Sequence, residues 1–446
     1  MTELSSAPNQ KKILWMIAGF AVLIRLFCLI WFRSYTSSID PGFASGYEVG
    51  FISRSLIEGR GFGSPFGGET GPTAWIAPLY PALQVLVFKC FGVDTLASAF
   101  VMRTINIATA PLMCILLYRI ASRIWNARMG IAAAAAFAIF PDSIWFDSTM
   151  VWDTILATAL LFILVDMVVA RRDENPRADV KFGIVGGTLA LVSPSLLSGV
   201  AVCLVWRSWQ MLRGRARSMA LTVLVMAAMV APWMVRNYLV FGKPVFIRGN
   251  FGHELFKGNH LGGESGGQLR PPATGQDDWS LNPINNEGQF RKYQDLGELE
   301  YVADHKRQGI AAIKKYPFWF FKLVRRRIDA FWNGPIDLGG IFTADPEYLP
   351  AKRIWFSAVS LCGMVGILVS LLRREAFAPL FASIVFVYPL VYYITFPHSR
   401  YRYPLEPILL MCGLHLGSLA IAYLRRRLAV VRRGRVPASA ATAELP

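Results

Sequence analysis

Two arginines near the C-terminus could bind phosphate. Residues 398–404 read His-Ser-Arg-Tyr-Arg-Tyr-Pro, and nearly every side chain in this run can donate a hydrogen bond. Arg400 and Arg402 are always charged, and a guanidinium matches the oxygens of a phosphate with its planar fork of N–H groups. We therefore predict that Arg400 or Arg402 contacts a phosphate, with His398 and Tyr401 as further ligand contacts. The alternative is that the run anchors the chain among lipid headgroups.

A second run, residues 248–260, combines glycine with polar side chains. Glycine lets a backbone approach a ligand closely, and Asn, His and Glu offer the hydrogen bonds that a sugar needs. The predicted ligand contacts are Asn250, Glu254 and Asn259, together with Arg236 and Asn237 shortly before the run. The alternative is an ordinary ordered loop. The spacing of the His and Glu residues matches no metal-binding motif.

The composition indicates which elements must position these residues. The chain has 446 residues, with 46 Lys and Arg against 29 Asp and Glu, and a formal charge of +17. Only 17% of its residues are charged and 54% are hydrophobic, whereas soluble domains carry roughly 25% charged residues. Together with a mean hydropathy of +0.40, these values exclude a soluble nucleic-acid-binding protein, a disordered chain and a small disulfide scaffold. They indicate a multi-span membrane protein.

Eight apolar segments approach the roughly 20 residues that cross a bilayer. They lie at about 13–33, 96–118, 129–147, 149–170, 218–240, 354–372, 376–396 and 404–424. Two further segments are ambiguous. Residues 78–92 are apolar but short, and residues 182–206 are interrupted by Ser193, Pro194 and Ser195.

The positive-inside rule resolves these two segments. Basic clusters at 11–12, 119–128, 171–181, 207–217, 373–374 and 425–435 mark the cytoplasmic side. An even number of crossings must separate successive clusters, so residues 182–206 are predicted to form a hairpin that turns at residues 193–195. Residues 78–92 are predicted to lie at the outer interface. The result is about ten crossings, with both termini cytoplasmic.

This topology divides the chain into three parts. Residues 1–240 form a membrane module that includes an outer loop at 34–95. Residues 241–353 form a large extracytoplasmic loop, and residues 354–446 form the last spans with a basic cytoplasmic tail. In the first outer loop, Val49, Ile52 and Leu56 recur at helical spacing, which predicts an amphipathic helix on the membrane surface.

The order of these features resembles the GT-C superfamily, and more narrowly its family 39-type bacterial glycosyltransferases. The shared features are the first span, the loop with an acidic residue, the surface helix with its Gly-rich end, and the Pro-Leu-Tyr-Pro entry to the next helix. The resemblance continues through residues 232–237, 249–255 and 398–404, and so covers most of the chain. Relatives include protein O-mannosyltransferases and the lipid A aminoarabinose transferase.

The resemblance implies an all-α polytopic fold, namely a GT-C-like bundle of about ten transmembrane helices with interfacial helices and a mixed outer loop domain. It implies a hexosyl- or pentosyltransferase in a bacterial-type inner membrane. A sugar passes from a polyprenyl-phosphate carrier to an acceptor hydroxyl on the extracytoplasmic face, by an inverting displacement. The expected partners are that donor, membrane lipids and a glycan, lipid or protein acceptor, with no nucleic acid.

The family's acidic residue in the first outer loop acts as the general base. In this chain Glu48, at the start of the surface helix, is the expected base, and Asp40 is the alternative. The other residues expected to contact substrate there are Tyr47, Arg54, Trp75 and Tyr80. Within the spans, Asp153 is expected either to shape the catalytic cavity or to pair with Arg103. No metal ligands are assigned, and a divalent metal remains possible because relatives divide on this point.

Residues 296–333 are predicted to form one long helix. Its aromatic residues Trp319, Phe320 and Phe321 lie beside the basic cluster at 325–327. This pattern indicates a position among lipid headgroups, with a binding site for the carrier phosphate as the alternative.

Three other functions stay open. A lipid-linked glycan transporter would show inverted repeats and polar residues near the bilayer midplane, and neither is evident in the sequence. An O-antigen ligase or polymerase would also have many spans and a large outer loop, but without the surface helix after the first span. The separation of Asp40 from Glu48 also leaves open a non-catalytic subunit with a degenerate site.

Overall fold

The computed structural model describes residues 8–36, 45–170, 176–210, 215–260, 262–265, 268–270, 281–334 and 350–433, and these are almost entirely helical. The N-terminal helices are α1 (Pro8–Phe32), α2 (Glu48–Ile57), α3 (Leu79–Phe91), α4 (Leu96–Ile107), α5 (Thr109–Ile124), α6 (Ala127–Ala138), α7 (Pro141–Thr149) and α8 (Asp153–Val169). Next come α9 (Pro176–Val192), α10 (Leu197–Gln210), α11 (Arg215–Phe241) and α12 (Phe251–Asn259).

A two-stranded antiparallel ribbon follows, formed by β1 (Gly262–Ser265) and β2 (Gln268–Arg270). The remaining helices are α13 (Glu287–Lys315), α14 (Pro317–Asn333), α15 (Pro350–Leu372), α16 (Ala378–Val387), α17 (Leu390–Ile394), α18 (Ser399–Arg402) and α19 (Glu406–Arg433). Short 3₁₀ turns lie at Ser34–Thr36, Pro194–Leu196 and Tyr403–Leu405.

The predicted all-α, multi-pass membrane class is confirmed. In the described part of the chain, five helical segments are long and apolar enough to cross a membrane: Asn9–Thr36, Leu96–Ile124, Ala216–Phe241, Lys352–Leu372 and Ser399–Leu428. A sixth candidate is the pair α6 and α7, bent by 51°. Each overlaps a predicted span. Other predicted crossings correspond to shorter helices, so the total of ten stays a prediction.

The segment at 182–206 consists of two helices, α9 and α10, that meet at the predicted break. Arg207, near the end of α10, forms an ion pair with Asp179, near the start of α9. The two helices must therefore run antiparallel, as a hairpin. Small residues let α11 pack closely on α9, because a Cβ added at Gly183 would lie 2.7 Å from the Cβ of Val225.

A buried ion pair ties α1 to α7. Arg25 Nε donates to Asp147 at 2.7 Å, and both side chains are fully buried. Arg25 also donates to the Ser143 hydroxyl at 2.7 Å, and the Tyr403 hydroxyl donates to the other oxygen of Asp147 at 2.7 Å. A buried charge needs such partners, since an unpaired one is costly. The network links the first span to the chain that follows Arg402.

The prediction of one helix over 296–333 is wrong. Helix α13 begins earlier, at Glu287, and is interrupted at Gly297, which has a φ of +71°. A second break falls at Tyr316, where Pro317 starts α14. Proline suits the first turn of a helix because it has no N–H to leave unpaired. Glycine and proline are the residues that most often end or break a helix, and the prediction of a single helix did not take Gly297 and Pro317 into account.

Candidate active site

One cavity is lined by most of the predicted ligand-binding residues that the structure describes. It has a volume of about 380 Å³ and lies where the first turns of α2 and α8, the turn of the α9–α10 hairpin, α12 and residues 391–401 converge. Of the predicted site residues, eight line it: Tyr47, Glu48, Asp153, Asn250, Glu254, His398, Arg400 and Tyr401.

Glu48 and Asp153 are brought to this cavity in the same way, as the first residues of α2 and α8. The chain turns sharply before α2, because Gly46 and Tyr47 both have positive φ angles, of 79° and 51°. Gly46 packs against the carbonyl oxygen of Val151, which a Cβ at that position would approach to 2.7 Å. This contact holds the two helix starts side by side. A helix N-terminus also favours a negative charge.

Arg400 lines the same cavity as both carboxylates. Its guanidinium stacks against the rings of Trp152 and Tyr401, at 5.1 and 4.9 Å, and donates to the Tyr401 hydroxyl at 3.0 Å. Its Nε is buried and has no hydrogen-bond partner among the described residues. The side chain is thus held by aromatic rings, and one buried N–H group stays unpaired among the described residues.

A second wall of the cavity is built on α12. Asn250 donates to Glu254 Oε1 at 2.7 Å. The charged ends of Arg248 and Lys257 each lie 3.9 Å from a Glu254 oxygen, and Lys257 also stands over the ring of Phe396 at 4.9 Å. The cavity therefore contains three cations and three carboxylates. The cations can hold an anion and the carboxylates can accept protons or bind hydroxyls.

Several lining residues were not predicted as contacts. Arg248 and Lys257 belong to the polar run at 248–260, and Lys257 follows Glu254 by three residues on one helix, which was an available signal. Ser193 and Ser195 were noted only as a break, yet their hydroxyls lie 3.1 Å apart in the cavity wall. Asn282, which approaches Glu48 at 3.5 Å, gave no signal in the sequence.

Three predicted contacts of the first outer loop lie away from the cavity lining. Arg54 pairs with Asp94. Trp75 is buried in an aromatic cluster with Tyr293 and other rings, and Tyr80 is fully buried in an apolar cluster. The alternative base, Asp40, falls outside the described residues.

Four other predicted contacts are also absent from the lining. Arg236 donates to the carbonyl oxygens of Thr73 and Phe62, both at 2.7 Å, and Asn237 donates to a backbone carbonyl at 3.3 Å. Asn259 donates to the Leu255 carbonyl within α12 and to the Ile394 carbonyl at the end of α17. Arg402 turns into the protein, where it pairs with Glu406 at 2.6 Å. These contacts hold the walls of the cavity together.

The first outer loop is joined to α13 by a buried carboxylate. Glu298 accepts hydrogen bonds from the Thr73 hydroxyl, the Ala74 N–H at 2.7 Å and the Tyr293 hydroxyl at 2.8 Å. Burial raises the pKa of Glu298, although these hydrogen bonds oppose the rise. The Ala74 carbonyl in turn accepts from Gly249 N at 2.9 Å, next to the lining residue Asn250. The junction therefore positions the start of α12.

A histidine pair supports α12 from behind. The Nδ1 atoms of His253 and His305 lie 2.9 Å apart, and both rings are buried; the His253 ring is stacked on Tyr301, and the His305 ring packs against Tyr301 at a tilt of 57°. Burial lowers the pKa of both imidazoles, with a further contribution from nearby lysines, and brings that of His305 to about 3. Both rings are therefore neutral at physiological pH, and one donates to the other. Among the described residues no three His, Cys, Asp or Glu side chains cluster as metal ligands would.

No protein-family model and no curated protein sequence matches the chain. Solved structures do match it. The archaeal oligosaccharyltransferase AglB from Archaeoglobus fulgidus, in complex with an inhibitory peptide and a dolichol-phosphate, superposes with a TM-score of 0.52 at 15% identity. That match covers 98% of this chain and 53% of AglB.

The apo form of the Archaeoglobus fulgidus oligosaccharyltransferase gives a TM-score of 0.53 at 15% identity, over 96% of this chain and 52% of that one. A third structure, tethered to an acceptor peptide with an NVT sequon, gives a TM-score of 0.53 at 15% identity and covers 95% and 51%. The chain thus spans about half the length of the oligosaccharyltransferase that it matches. The predicted resemblance is confirmed at the level of the fold: the chain shares the fold of this GT-C membrane glycosyltransferase.

Proposed function

We propose that the chain is a membrane glycosyltransferase that moves a sugar from a polyprenyl-phosphate carrier to an acceptor hydroxyl. The observation that supports this most is the meeting of Glu48, Asp153 and Arg400 in one cavity. Such a transfer needs a carboxylate to accept a proton and a cation to hold the departing phosphate. The fold supports the same class of enzyme.

In this proposal Glu48 is the general base. An acceptor hydroxyl is a weak nucleophile, so its proton passes to the Glu48 carboxylate as its oxygen attacks the anomeric carbon. The bond between that carbon and the phosphate oxygen breaks, and the electron pair leaves with the polyprenyl phosphate. Attack opposite the leaving group inverts the anomeric centre. The Asn282 amide, 3.5 Å from Glu48, orients the carboxylate, and Asp40 is the alternative base.

Arg400 then holds the leaving phosphate. The rings of Trp152 and Tyr401 and the hydrogen bond to the Tyr401 hydroxyl hold the guanidinium in place. As negative charge develops on the phosphate, a preorganised cation stabilises it without a change in position. Asp153 helps to orient Arg400 before the donor binds. His398 and Tyr401 complete the phosphate side, while Asn250, Glu254 and Lys257 offer hydrogen bonds to sugar or acceptor hydroxyls.

The donor class follows from the fold and from charge. AglB is described in complex with a dolichol-phosphate, which is a polyprenyl phosphate. We extend that ligand class to this chain, because the cavity offers cations for a phosphate beside helices that are apolar enough to face lipid. The proposed location is a bacterial-type inner membrane, with both termini cytoplasmic and the cavity on the extracytoplasmic side. A transfer assay with both kinds of donor decides whether the sugar is a hexose or a pentose.

The test is a transfer assay with purified protein in lipid nanodiscs. A panel of polyprenyl-phosphate-linked hexoses and pentoses is supplied, and release of free polyprenyl phosphate is measured by mass spectrometry. Glu48→Gln is expected to lower turnover about 10²–10⁴-fold with donor binding retained. Arg400→Met is expected to lower turnover about 10²–10³-fold and to weaken donor binding.

Glu58→Gln is the matched control, because Glu58 is an exposed carboxylate on the same surface helix segment that pairs with Arg60. It should turn over at the wild-type rate. Full activity of Glu48→Gln would remove Glu48 as the base. Full activity of both Glu48→Gln and Asp40→Asn would refute the proposed base chemistry as a whole.

A further inference from the structure

Helix α14 presents an unusual exposed face outside the candidate spans. Phe318 is 90% exposed, the highest value among the large apolar side chains of the described residues, and Phe321 is 67% exposed. Lys322 and Arg325 are exposed on the same face, at the helical spacing 318, 321, 322 and 325. Lys322 stands over the Trp319 ring at 4.8 Å. The face therefore combines exposed aromatic rings with exposed cations.

The charge of this region is of one sign up to Asp329, the one acidic residue of α14, which pairs with Arg353. Residues 314–328 contain six cations and no acidic residue: Lys314, Lys315, Lys322, Arg325, Arg326 and Arg327. A complementary partner must be anionic, and the exposed aromatic rings require that it also offer an apolar layer. Aromatic residues and lysine or arginine side chains together are typical of a helix that lies in a membrane interface.

The opposite face of α14 is fixed to the wall of the cavity. Leu323 and Arg327 are buried. The Arg327 guanidinium donates to the Gly258 carbonyl and, at 3.2 Å, to the Asn259 side-chain oxygen, both at the C-terminal end of α12. It also donates to the Ile394 carbonyl at 3.1 Å, just before the lining residue Thr395. A buried guanidinium with this many backbone acceptors makes a rigid connection.

We propose that α14 lies on the surface of the bilayer, binds the headgroups of anionic phospholipids, and through Arg327 transmits that contact to α12. Phe318 and Phe321 enter the boundary between headgroups and acyl chains, while Lys322 and Arg325 meet the phosphates. The end of α12 is then held in place by the lipid surface as well as by the protein. This inference does not depend on the proposed glycosyl transfer.

The test compares hydrogen exchange of the full chain in two kinds of nanodisc. One contains phosphatidylcholine alone, and the other contains phosphatidylcholine with 30% phosphatidylglycerol, a composition chosen as roughly that of an anionic membrane. Peptides from α14 should exchange about fivefold more slowly per engaged cation in the anionic discs. The double variant Lys322→Glu/Arg325→Glu should lose this difference.

The matched control is Arg291→Glu/Lys306→Glu, which changes the charge equally at two exposed cations of α13. In this control variant, α14 should still exchange more slowly in the anionic discs than in the phosphatidylcholine discs. Equal exchange of α14 in both kinds of disc overturns the proposal. Protection only when two copies share a disc, which would assign the face to a second copy, also overturns it. So does protection that requires polyprenyl phosphate in place of phosphatidylglycerol.

The connection from α14 through Arg327 to α12 is tested by a separate measurement. In anionic discs, peptides from α12 should be protected along with those from α14. Arg327→Met should leave the lipid response of α14 in place but remove that of α12. A lipid response of α12 that survives this substitution would contradict the role of Arg327. Because no step requires turnover, these results remain separate from those of the transfer assay.

Discussion

Glu298→Ala should loosen the junction between the first outer loop and α13. Three donors converge on this buried carboxylate: the Thr73 hydroxyl, the Ala74 N–H and the Tyr293 hydroxyl. A buried donor left without an acceptor costs about 1–3 kcal/mol. The three donors share one neighbourhood and relax together, so their costs do not add fully. We therefore expect a loss of about 3–6 kcal/mol in the local opening free energy.

Glu298→Gln should cost less, about 1–2 kcal/mol. The amide keeps the volume and one acceptor oxygen, and the hydroxyls of Thr73 and Tyr293 can turn to accept from its NH₂ group. The Ala74 N–H cannot turn. The expected order of stability is therefore wild type, then Glu298→Gln, then Glu298→Ala.

The assay is hydrogen exchange of peptides that cover residues 70–80, in nanodiscs at constant pH. A loss of 3–6 kcal/mol corresponds to exchange that is about 10²–10⁴ times faster. Glu300→Ala is the control, because Glu300 lies on the same helix but is exposed and pairs with Arg307. Wild-type exchange in Glu298→Ala would refute the reasoning that this carboxylate holds the junction.

Three further predictions concern the cavity walls. The pKa values of His253 and His305 are lowered in the folded protein, so the stability of the packing between α12 and α13 is fully present above pH 6.5. Below pH 6.5 this packing should lose about 1.4 kcal/mol per histidine for each pH unit. Thermal denaturation at pH 8, 7 and 5 should therefore show a lower melting temperature only at pH 5. Arg402→Met should destabilise the fold by about 3–5 kcal/mol, since it strands Glu406, whereas Arg400→Met should leave the melting temperature within a few degrees of wild type. Gly46→Ala should slow transfer at least tenfold, because the added Cβ meets the Val151 carbonyl; an unchanged rate would contradict this.

The sequence predicted the membrane architecture well where one physical rule decides it. Long apolar segments must cross a bilayer, and each long span of the described chain overlaps a predicted one. The parity of basic clusters predicted the hairpin at 182–206, which the Arg207–Asp179 pair confirms. The failure at 296–333 has a local cause. Gly297 has a positive φ angle and Tyr316 precedes a proline, and the prediction of a single helix read through both positions.

The site was harder to predict because packing decides which side chains face the cavity. Arg400 and Arg402 are two residues apart in a four-residue helix, so they point in different directions. The sequence cannot tell which one faces inward. The packing of Arg402 against Phe356 and Glu406 settles it. Lys257 reaches the cavity only because α12 docks on α13, a contact between segments that are distant in sequence.

The most direct test of the central claim is the position of the carrier phosphate. A cryo-electron microscopy structure of the chain in a nanodisc loaded with polyprenyl phosphate would show it. The account predicts the phosphate within hydrogen-bonding distance of the Arg400 guanidinium, about 3 Å, with the Glu48 carboxylate across the same cavity. A phosphate bound outside this cavity, with Arg400 still packed against Trp152 and Tyr401 and making no contact with it, would contradict the account.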